Sequence, residues 1–387
     1  MQISCIRVQK NNNDNHDNHD NLTTMTTPTL PISLPTLIVD RAIATNNIER
    51  MLEKARGAGA VLRPHLKTHQ SLEVGCWFRE VGVDRIAVSS VTMARQFAAD
   101  GWKDIMIAFP VNLREMDEIN RLAARIRLGL LVSAPGVMPL LAQSLRAPAD
   151  VYLKIDVGTH RTGFDPKDLN LIKLALEQSA ESPIITIAGL VAHAGHTYHA
   201  NSPEEIMAIQ KESMHLLNDL KKALAPNFPR LLISWGDTPS CSLASEFYGT
   251  GELRPGNFVY YDLMQWQLGV CRQQDIAAVV AAPVVALHPE RNEMVVYGGA
   301  VHLSKEQSLC PEGKPHFGMM VMLNETGKWK LPEKNCYVRR ISQEHGVIGL
   351  PAEMLERFKP RDLVGVVPVH SCLAADLLLE SVSILKP

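Results

Sequence analysis

From Pro31 onward, short apolar runs alternate with amphipathic stretches along the chain. This is the pattern of repeated strand–helix units around a parallel sheet, whose strands are buried on both faces and read as nearly unbroken hydrophobic runs. The runs fall at residues 60–62, 85–88, 104–109, 126–132, 151–156, 185–192, 231–235 and 252–253, and helical spacing is predicted over 43–54, 91–99, 113–124, 169–177 and 203–224. Eight strands within roughly 200 residues predict an α/β architecture of the (β/α)8 TIM-barrel type rather than an open doubly wound sheet. After about Gln267 the helical period fades, and strands are expected at 276–285, 293–297, 336–341, 363–369 and 378–384. These form a smaller C-terminal β domain, which a strand at 37–40 from the front of the chain is expected to join. Two domains meeting in this way leave a cleft suited to a small molecule.

Composition narrows the partners. The 387 residues are 46% hydrophobic and 21% charged with a formal charge of −2, so there is no basic face for nucleic acid or for an anionic membrane surface. No apolar run reaches the roughly 18 to 20 residues needed to span a bilayer. The seven cysteines are scattered without a Cys-x-x-Cys pair, as expected of reduced thiols in a cytoplasmic protein rather than a disulfide framework. Residues 1–28 carry an Asn/Asp/His tract with nothing apolar to bury, and are expected to form a disordered, solvated tail.

Several segments carry candidate chemistry. Lys67 lies in Arg63-Pro64-His65-Leu66-Lys67-Thr68-His69, directly after a short apolar run. Nearby cations and partial burial disfavour an ammonium ion and release the amine as a nucleophile; a solvated lysine in a basic loop is the alternative. Arg161 sits in the loop Asp156-Val157-Gly158-Thr159-His160-Arg161-Thr162-Gly163 after the fifth strand, and His193-Ala194-Gly195-His196-Thr197-Tyr198-His199 follows the sixth. That histidine cluster suits a metal, an acid–base site or a hydrogen-bonded corner. Gly236-Asp237-Thr238 and Arg254-Pro255-Gly256-Asn257 end the seventh and eighth strands, where barrels commonly hold phosphate. Finally, His370 and Cys372 flank Ser371 after a strand of the β domain. If that segment is extended, the imidazole and thiol share one face and form a soft-to-borderline pair for zinc.

Taken in order, these segments resemble the D-threonine aldolase and D-serine dehydratase family, the metal-assisted branch of the alanine-racemase-like, fold-type III pyridoxal phosphate enzymes. The resemblance spans about residues 32 to 385 and also rests on Tyr261-Asp262 and Glu344-His345-Gly346. It implies a disordered tail at 1–28, a cofactor-binding barrel of the alanine racemase N-terminal type at 29–265 and a metal-binding β domain at 266–387. It implies that Lys67 carries pyridoxal 5'-phosphate as a Schiff base and that Arg161 faces the pyridine nitrogen. Tyr198, Gly236, Thr238, Gly256 and Asn257 are implied to surround the cofactor and its phosphate. His370 and Cys372 are implied to hold a divalent metal. A cysteine stands where the bacterial aldolases carry aspartate, which points to Zn2+, with Mn2+ or Mg2+ as alternatives. The expected activity is a D-serine dehydratase-like lyase on a D-3-hydroxy amino acid, giving a 2-oxo acid and ammonia. Retro-aldol cleavage to glycine and an aldehyde is the alternative, with an amino-acid racemase or a non-catalytic cofactor carrier behind it. The resemblance further implies a homodimer in which each site is completed by the partner's β domain.

Overall fold

The computed structural model describes residues 30–179 and 182–386; the tail expected at 1–28 lies outside the described residues. Strand β1 (Thr36–Asp40) passes without a loop into helix α1 (Arg41–Gly57). Asp40 ends the strand and caps the helix, accepting from Ile43 N at 3.2 Å, which satisfies one of the amides a helix start leaves open.

Eight parallel strands follow: β2 (Val61–Leu62), β3 (Ile86–Val88), β4 (Asp104–Pro110), β5 (Arg127–Val132), β6 (Ala149–Lys154), β7 (Ile185–Ala192), β8 (Leu232–Trp235) and β9 (Glu252–Leu253). They form one curled sheet in the order β2-β9-β8-β7-β6-β5-β4-β3. The gap between β2 and β3 is bridged just past β2, where His65 pairs with Ala87 and the Ala87 amide donates to Pro64 O at 2.9 Å. The TIM-like barrel expected from the apolar runs is therefore present. Its outer helices are α2 (Leu72–Glu80), α3 (Val91–Ala99), α4 (Met116–Ala123), α5 (Val137–Ser144), α6 (Leu169–Ser179), α7 (Pro203–Leu224) and α8 (Thr238–Leu243). The sequence pattern did not announce α2, α5 or the short α8. α2 contains Gly75, where a β-carbon would come within 3.0 Å of Phe97, so close packing rather than helix propensity selects that residue.

The inside of the curl has two chemically different walls. Ala87, Met106, Leu131, Tyr152 and Val191, one from each of β3 to β7, form a small apolar cluster separate from the main core. On the other side, Arg63, Lys154, Ser234, Glu252 and Arg254 are all buried. Arg63 donates to Glu252 at 2.7 Å and to Asp104 at 2.6 Å, and Ser234 Oγ donates to the other Glu252 oxygen at 2.7 Å. These pairs satisfy charges that would be costly to bury alone.

Helix α9 (Leu263–Gln267) leads into the second domain, built from β10 (Ala278–His288), β11 (Glu293–Tyr297), α10 (Ala300–Leu303), the short β12 (Ser308–Leu309) and β13 (Pro315–His316), β14 (Gly318–Leu323), β15 (Trp329–Lys330), β16 (Tyr337–Ile341), β17 (His345–Gly349), α11 (Ala352–Leu355), β18 (Leu363–Pro368), α12 (Ser371–Leu377) and β19 (Val382–Leu385). The path β11-β17-β16-β14-β18-β10 closes through β10–β11, and β1 then β19 extend it from β10. The long β10 serves both ends of this closure because it bulges between Val284 and Ala286, where a strand changes direction. The segment expected as one strand over 378–384 begins within the chain's last helical turn, and the strand itself is Val382–Leu385.

Candidate active site

The C-terminal ends of the barrel strands and the start of α12 enclose a cleft of about 810 Å³. Lys67, Arg161, Tyr198, Thr238, Gly256, Asn257, His370 and Cys372 all line it. Of the residues expected to hold the cofactor or the metal, Gly236 alone is not on the wall. It packs against the exit of β9, where a β-carbon would stand 2.6 Å from Arg254 O, and this contact sets the distance between the Thr238 and Asn257 loops.

Lys67 sits on the single 3₁₀ turn Leu66–Thr68 after β2, and the turn is capped by His65 Nδ1, which accepts from the Lys67 amide at 3.3 Å. The cationic surroundings expected for Lys67 are different from those read in the sequence. Arg63 turns into the barrel and is neutralised by Glu252 and Asp104, because strand geometry sends it inward before the 3₁₀ turn redirects the chain. Burial holds His65 well below the usual histidine range, with the charge of Lys67 adding to the effect, and burial brings His69 down to about 3. Both histidines are therefore neutral acceptors. The basic residues that share the pocket with Lys67 are instead Lys154, Arg161 and Arg254. Burial first, then the charges of Arg254 and Arg161, bring the Lys154 ammonium down to about 7 against the opposing pull of Asp156. Arg254 donates to Ala192 O at 2.8 Å and to Ser234 Oγ at 3.2 Å.

The loop after β7 supplies His193, half-buried and held well below the usual histidine range by desolvation and the charge of Lys67, and Tyr198. The tyrosine ring lies 6.3 Å edge-on from His370, and its hydroxyl accepts from the Thr238 amide at a long 3.4 Å. Burial pushes the Tyr198 phenol up, well away from ionisation near neutral pH. Thr238 Oγ1 and Asn257 Oδ1 are buried without a partner, and buried polar groups of this kind await a ligand or water. Arg161 is exposed at the cleft.

His370 and Cys372 are not presented by an extended segment as expected. Ser371 begins α12, with extended His370 as its cap, so the imidazole and thiol are brought together by a helix start rather than by strand alternation. Each shifts the titration of the other. Burial pushes the Cys372 thiol up, but His370, Lys67 and the Thr68 hydroxyl together bring it down to about 7. For His370, burial opposes the imidazolium, and Cys372 and Asp262 outweigh it, raising the group well above its ordinary value. Thr68, the residue after Lys67, lies 3.2 Å from Cys372 Sγ. Among the described residues no group of three or more His, Cys, Asp or Glu side chains is arranged to hold a metal, so a metal here would take two protein ligands with its other positions open.

Three site residues had no role in the sequence reading. Lys154 interrupts a buried apolar run, and a lysine in such a strand is a signal in itself. Asp237 accepts from Ser240 N at 2.7 Å and from Thr197 Oγ1 at 3.0 Å, and burial, ahead of these hydrogen bonds, brings its carboxyl up to about 6. Asp262 meets His370 across 108 positions of sequence, a separation that no local pattern reveals.

Comparison with known proteins agrees with this geometry. Residues 39–263 match the family described as alanine racemase, N-terminal domain, and residues 277–383 match the putative serine dehydratase domain. The chain is 30% identical over 373 residues to a D-serine dehydratase of Dictyostelium discoideum, covering 90% of this chain and 92% of that one. It is 27% identical over 351 residues to a D-threo-3-hydroxyaspartate dehydratase of Delftia sp. strain HT23, covering 88% and 91%. The solved structure of the Delftia enzyme superposes with a TM-score of 0.82 at 26% identity over 91% of this chain and 94% of that one, as does a cysteine-to-alanine mutant of it described as metal-free. A D-threonine aldolase of Arthrobacter sp. is 25% identical over 239 residues, 60% of this chain and 62% of that one. Barrel, β domain and cleft together place the chain in the alanine-racemase-like family of fold-type III pyridoxal phosphate enzymes, in the branch that carries a serine dehydratase domain.

Proposed function

We propose that the protein is a pyridoxal phosphate- and divalent-metal-dependent lyase that converts a D-3-hydroxy amino acid to a 2-oxo acid and ammonia. One observation carries this reading: the amine of Lys67 and the His370/Cys372 pair open into one cleft, tied together by the Thr68–Cys372 contact at 3.2 Å. Both groups fit the residues present. The unpartnered Thr238 hydroxyl and the nearly free Thr238 amide offer donors to a phosphate, and an imidazole with a thiol near neutrality suits zinc over harder metals. When bound, pyridoxal phosphate supplies the electron sink for a carbanion at Cα, and the metal supplies a Lewis acid for the departing β-hydroxyl.

The chain's own residues do the rest. Lys67 holds the cofactor covalently, and its amine, once released, takes the Cα proton. Arg161 would face the cofactor's ring nitrogen, and Tyr198, Gly256 and Asn257 would surround its phosphate, with Gly236 fixing the spacing of the loops. The barrel at 29–265 thus carries the cofactor and the β domain at 266–387 brings His370 and Cys372. A homodimer is supported by apolar side chains left open beside the cleft, Val301 of α10 and Leu373 and Leu377 of α12, at 38%, 38% and 44% exposure. The free state of all six cysteines among the described residues and the lack there of any helix long and apolar enough to cross a membrane support a cytoplasmic setting.

The test is product analysis by NMR after incubation with D-serine and D-threonine, with pyridoxal phosphate and either Zn2+ or Mn2+, and Lys67→Ala as control. Pyruvate or 2-oxobutyrate with ammonia is expected. Glycine with acetaldehyde from D-threonine would replace this reading with the aldolase. D- to L-isomer conversion that survives a chelator would replace it with a racemase.

A further inference from the structure

Asp262 is fully buried, and its two oxygens do different work. Oδ1 accepts from Gln265 N at 3.0 Å and caps α9, a task that asparagine or serine performs as well without a buried charge. Oδ2 faces the other way. It accepts from Ser371 N at 2.9 Å, from Asn257 Nδ2 at 2.7 Å and from Ser371 Oγ at 3.3 Å, and it lies 3.1 Å from His370 Nδ1. A carboxylate already receiving a backbone amide and a side-chain amide is an acceptor only, so the imidazole nitrogen facing it is the one that carries hydrogen. When the ring is neutral, as a ligand must be, the other nitrogen, Nε2, is the one left with a lone pair. The Asn257 amide held by Oδ2 also reaches Ser371 Oγ at 2.9 Å and Cys372 Sγ at 3.6 Å, so one buried oxygen organises both arms of the pair.

We propose that Asp262 is a positioning residue for the metal pair: it fixes His370 with Nδ1 protonated and Nε2 directed to the metal, and through Asn257 it steadies Cys372. The proposal rests on the reading of His370 and Cys372 as metal ligands. A histidine ligand whose second nitrogen is held by a carboxylate is oriented before the metal arrives, and loss of such a partner typically weakens metal binding about 10- to 100-fold.

The experiment measures Zn2+ affinity, by competition with a chromogenic chelator, for cofactor-loaded, metal-stripped wild type, Asp262→Asn and His370→Ala. Asp262→Asn keeps the α9 cap, and the expected result is a zinc Kd raised about 10- to 100-fold with the bound-cofactor absorbance retained. If wild type binds zinc, His370→Ala does not, and Asp262→Asn binds within threefold of wild type, Asp262 is only a cap and the proposal is overturned. If wild type and His370→Ala bind zinc equally, the metal reading itself fails and takes this proposal with it. Should Asp262→Asn not fold, the wild type decides alone. In zinc-loaded protein with 15N-labelled histidine, the His370 resonance, identified by its absence in His370→Gln, is expected to show hydrogen on Nδ1; hydrogen on Nε2 overturns the proposal.

Discussion

Replacing Arg63 by methionine tests whether this arginine belongs to the chemistry of Lys67 or to the interior of the barrel. Its side chain is 3% exposed and bonded to Glu252, itself 2% exposed, and to Asp104, 16% exposed. Without the guanidinium, Asp104 keeps some water and Arg127 at 3.7 Å, but Glu252 keeps only the Ser234 hydroxyl. Breaking one side of such a buried pair costs about 3–5 kcal/mol, or roughly 4–6 °C in melting temperature for a chain of this size. Arg63→Met/Glu252→Gln removes the stranded charge and is expected to recover about 1–3 kcal/mol despite an imperfectly bonded amide. Calorimetry and urea unfolding give both numbers, and turnover of the folded fraction below its melting point is expected to stay near wild type. Arg63→Met with unchanged stability and a displaced pH profile of activity would refute this reasoning and return Arg63 to the surroundings of Lys67.

Cys372→Asp is expected to lower zinc affinity by about tenfold or more and to shift metal-restored turnover toward Mn2+, because a carboxylate is the harder ligand; an unchanged metal preference in reconstitution assays contradicts this. Gly236→Ala places a β-carbon 2.6 Å from Arg254 O and 2.7 Å from Arg254 C, so backbone must move, at about 1–3 kcal/mol. As Arg254 leads into Gly256 and Asn257, fluorescence titration is expected to show cofactor Kd rising about 5- to 100-fold, whereas Gly57→Ala, with open space around it, leaves it unchanged. Acid lability follows from His69, held at about 3 by burial. Its depressed value means that the unfolded chain takes up a proton the native one refuses, so its contribution is present above about pH 6.5 and is lost as pH falls toward 3. Urea unfolding at pH 5 and 7 is expected to show His69→Gln reducing the stability difference between the two by about 2 kcal/mol; an unaltered difference removes His69 from the account.

The barrel was legible because parallel strands buried on both faces leave uninterrupted apolar runs; β3, β5 and β7 to β9 lie within the runs that mark them, while β4 outruns its run by Pro110 and β6 starts two residues before its own. Strands of the β domain with a weaker signature were missed. β14 reads Gly-Met-Met-Val-Met-Leu and β17 His-Gly-Val-Ile-Gly, and methionine and glycine carry little strand preference. Lys67, His370 and Cys372 were legible as odd residues in marked loops. Their geometry was not: neighbours in sequence such as Arg63 and Lys67 part company when a strand gives way to a 3₁₀ turn, while Asp262 and His370, 108 positions apart, meet. Asp237 had the composition of an ordinary turn, and only burial distinguishes it.

The first described strand and the last lie side by side. β1 runs parallel to β19, with Leu37 N donating to Ser381 O at 2.8 Å, and antiparallel to β10, before entering α1 of the barrel. The β domain is thus not a contiguous piece of chain, although the barrel from α1 to β9 is. Severing the polypeptide near residue 270 would release a β domain lacking the strand between β10 and β19, and a barrel trailing an unmatched strand as an aggregation-prone edge. A rearranged gene that moves residues 36–40 behind residue 385 through a linker is the version from which the β domain can be cut out intact. In the native order β1 waits for β19, so the β sheet that carries His370 is completed beside the barrel only after β19 has been synthesised.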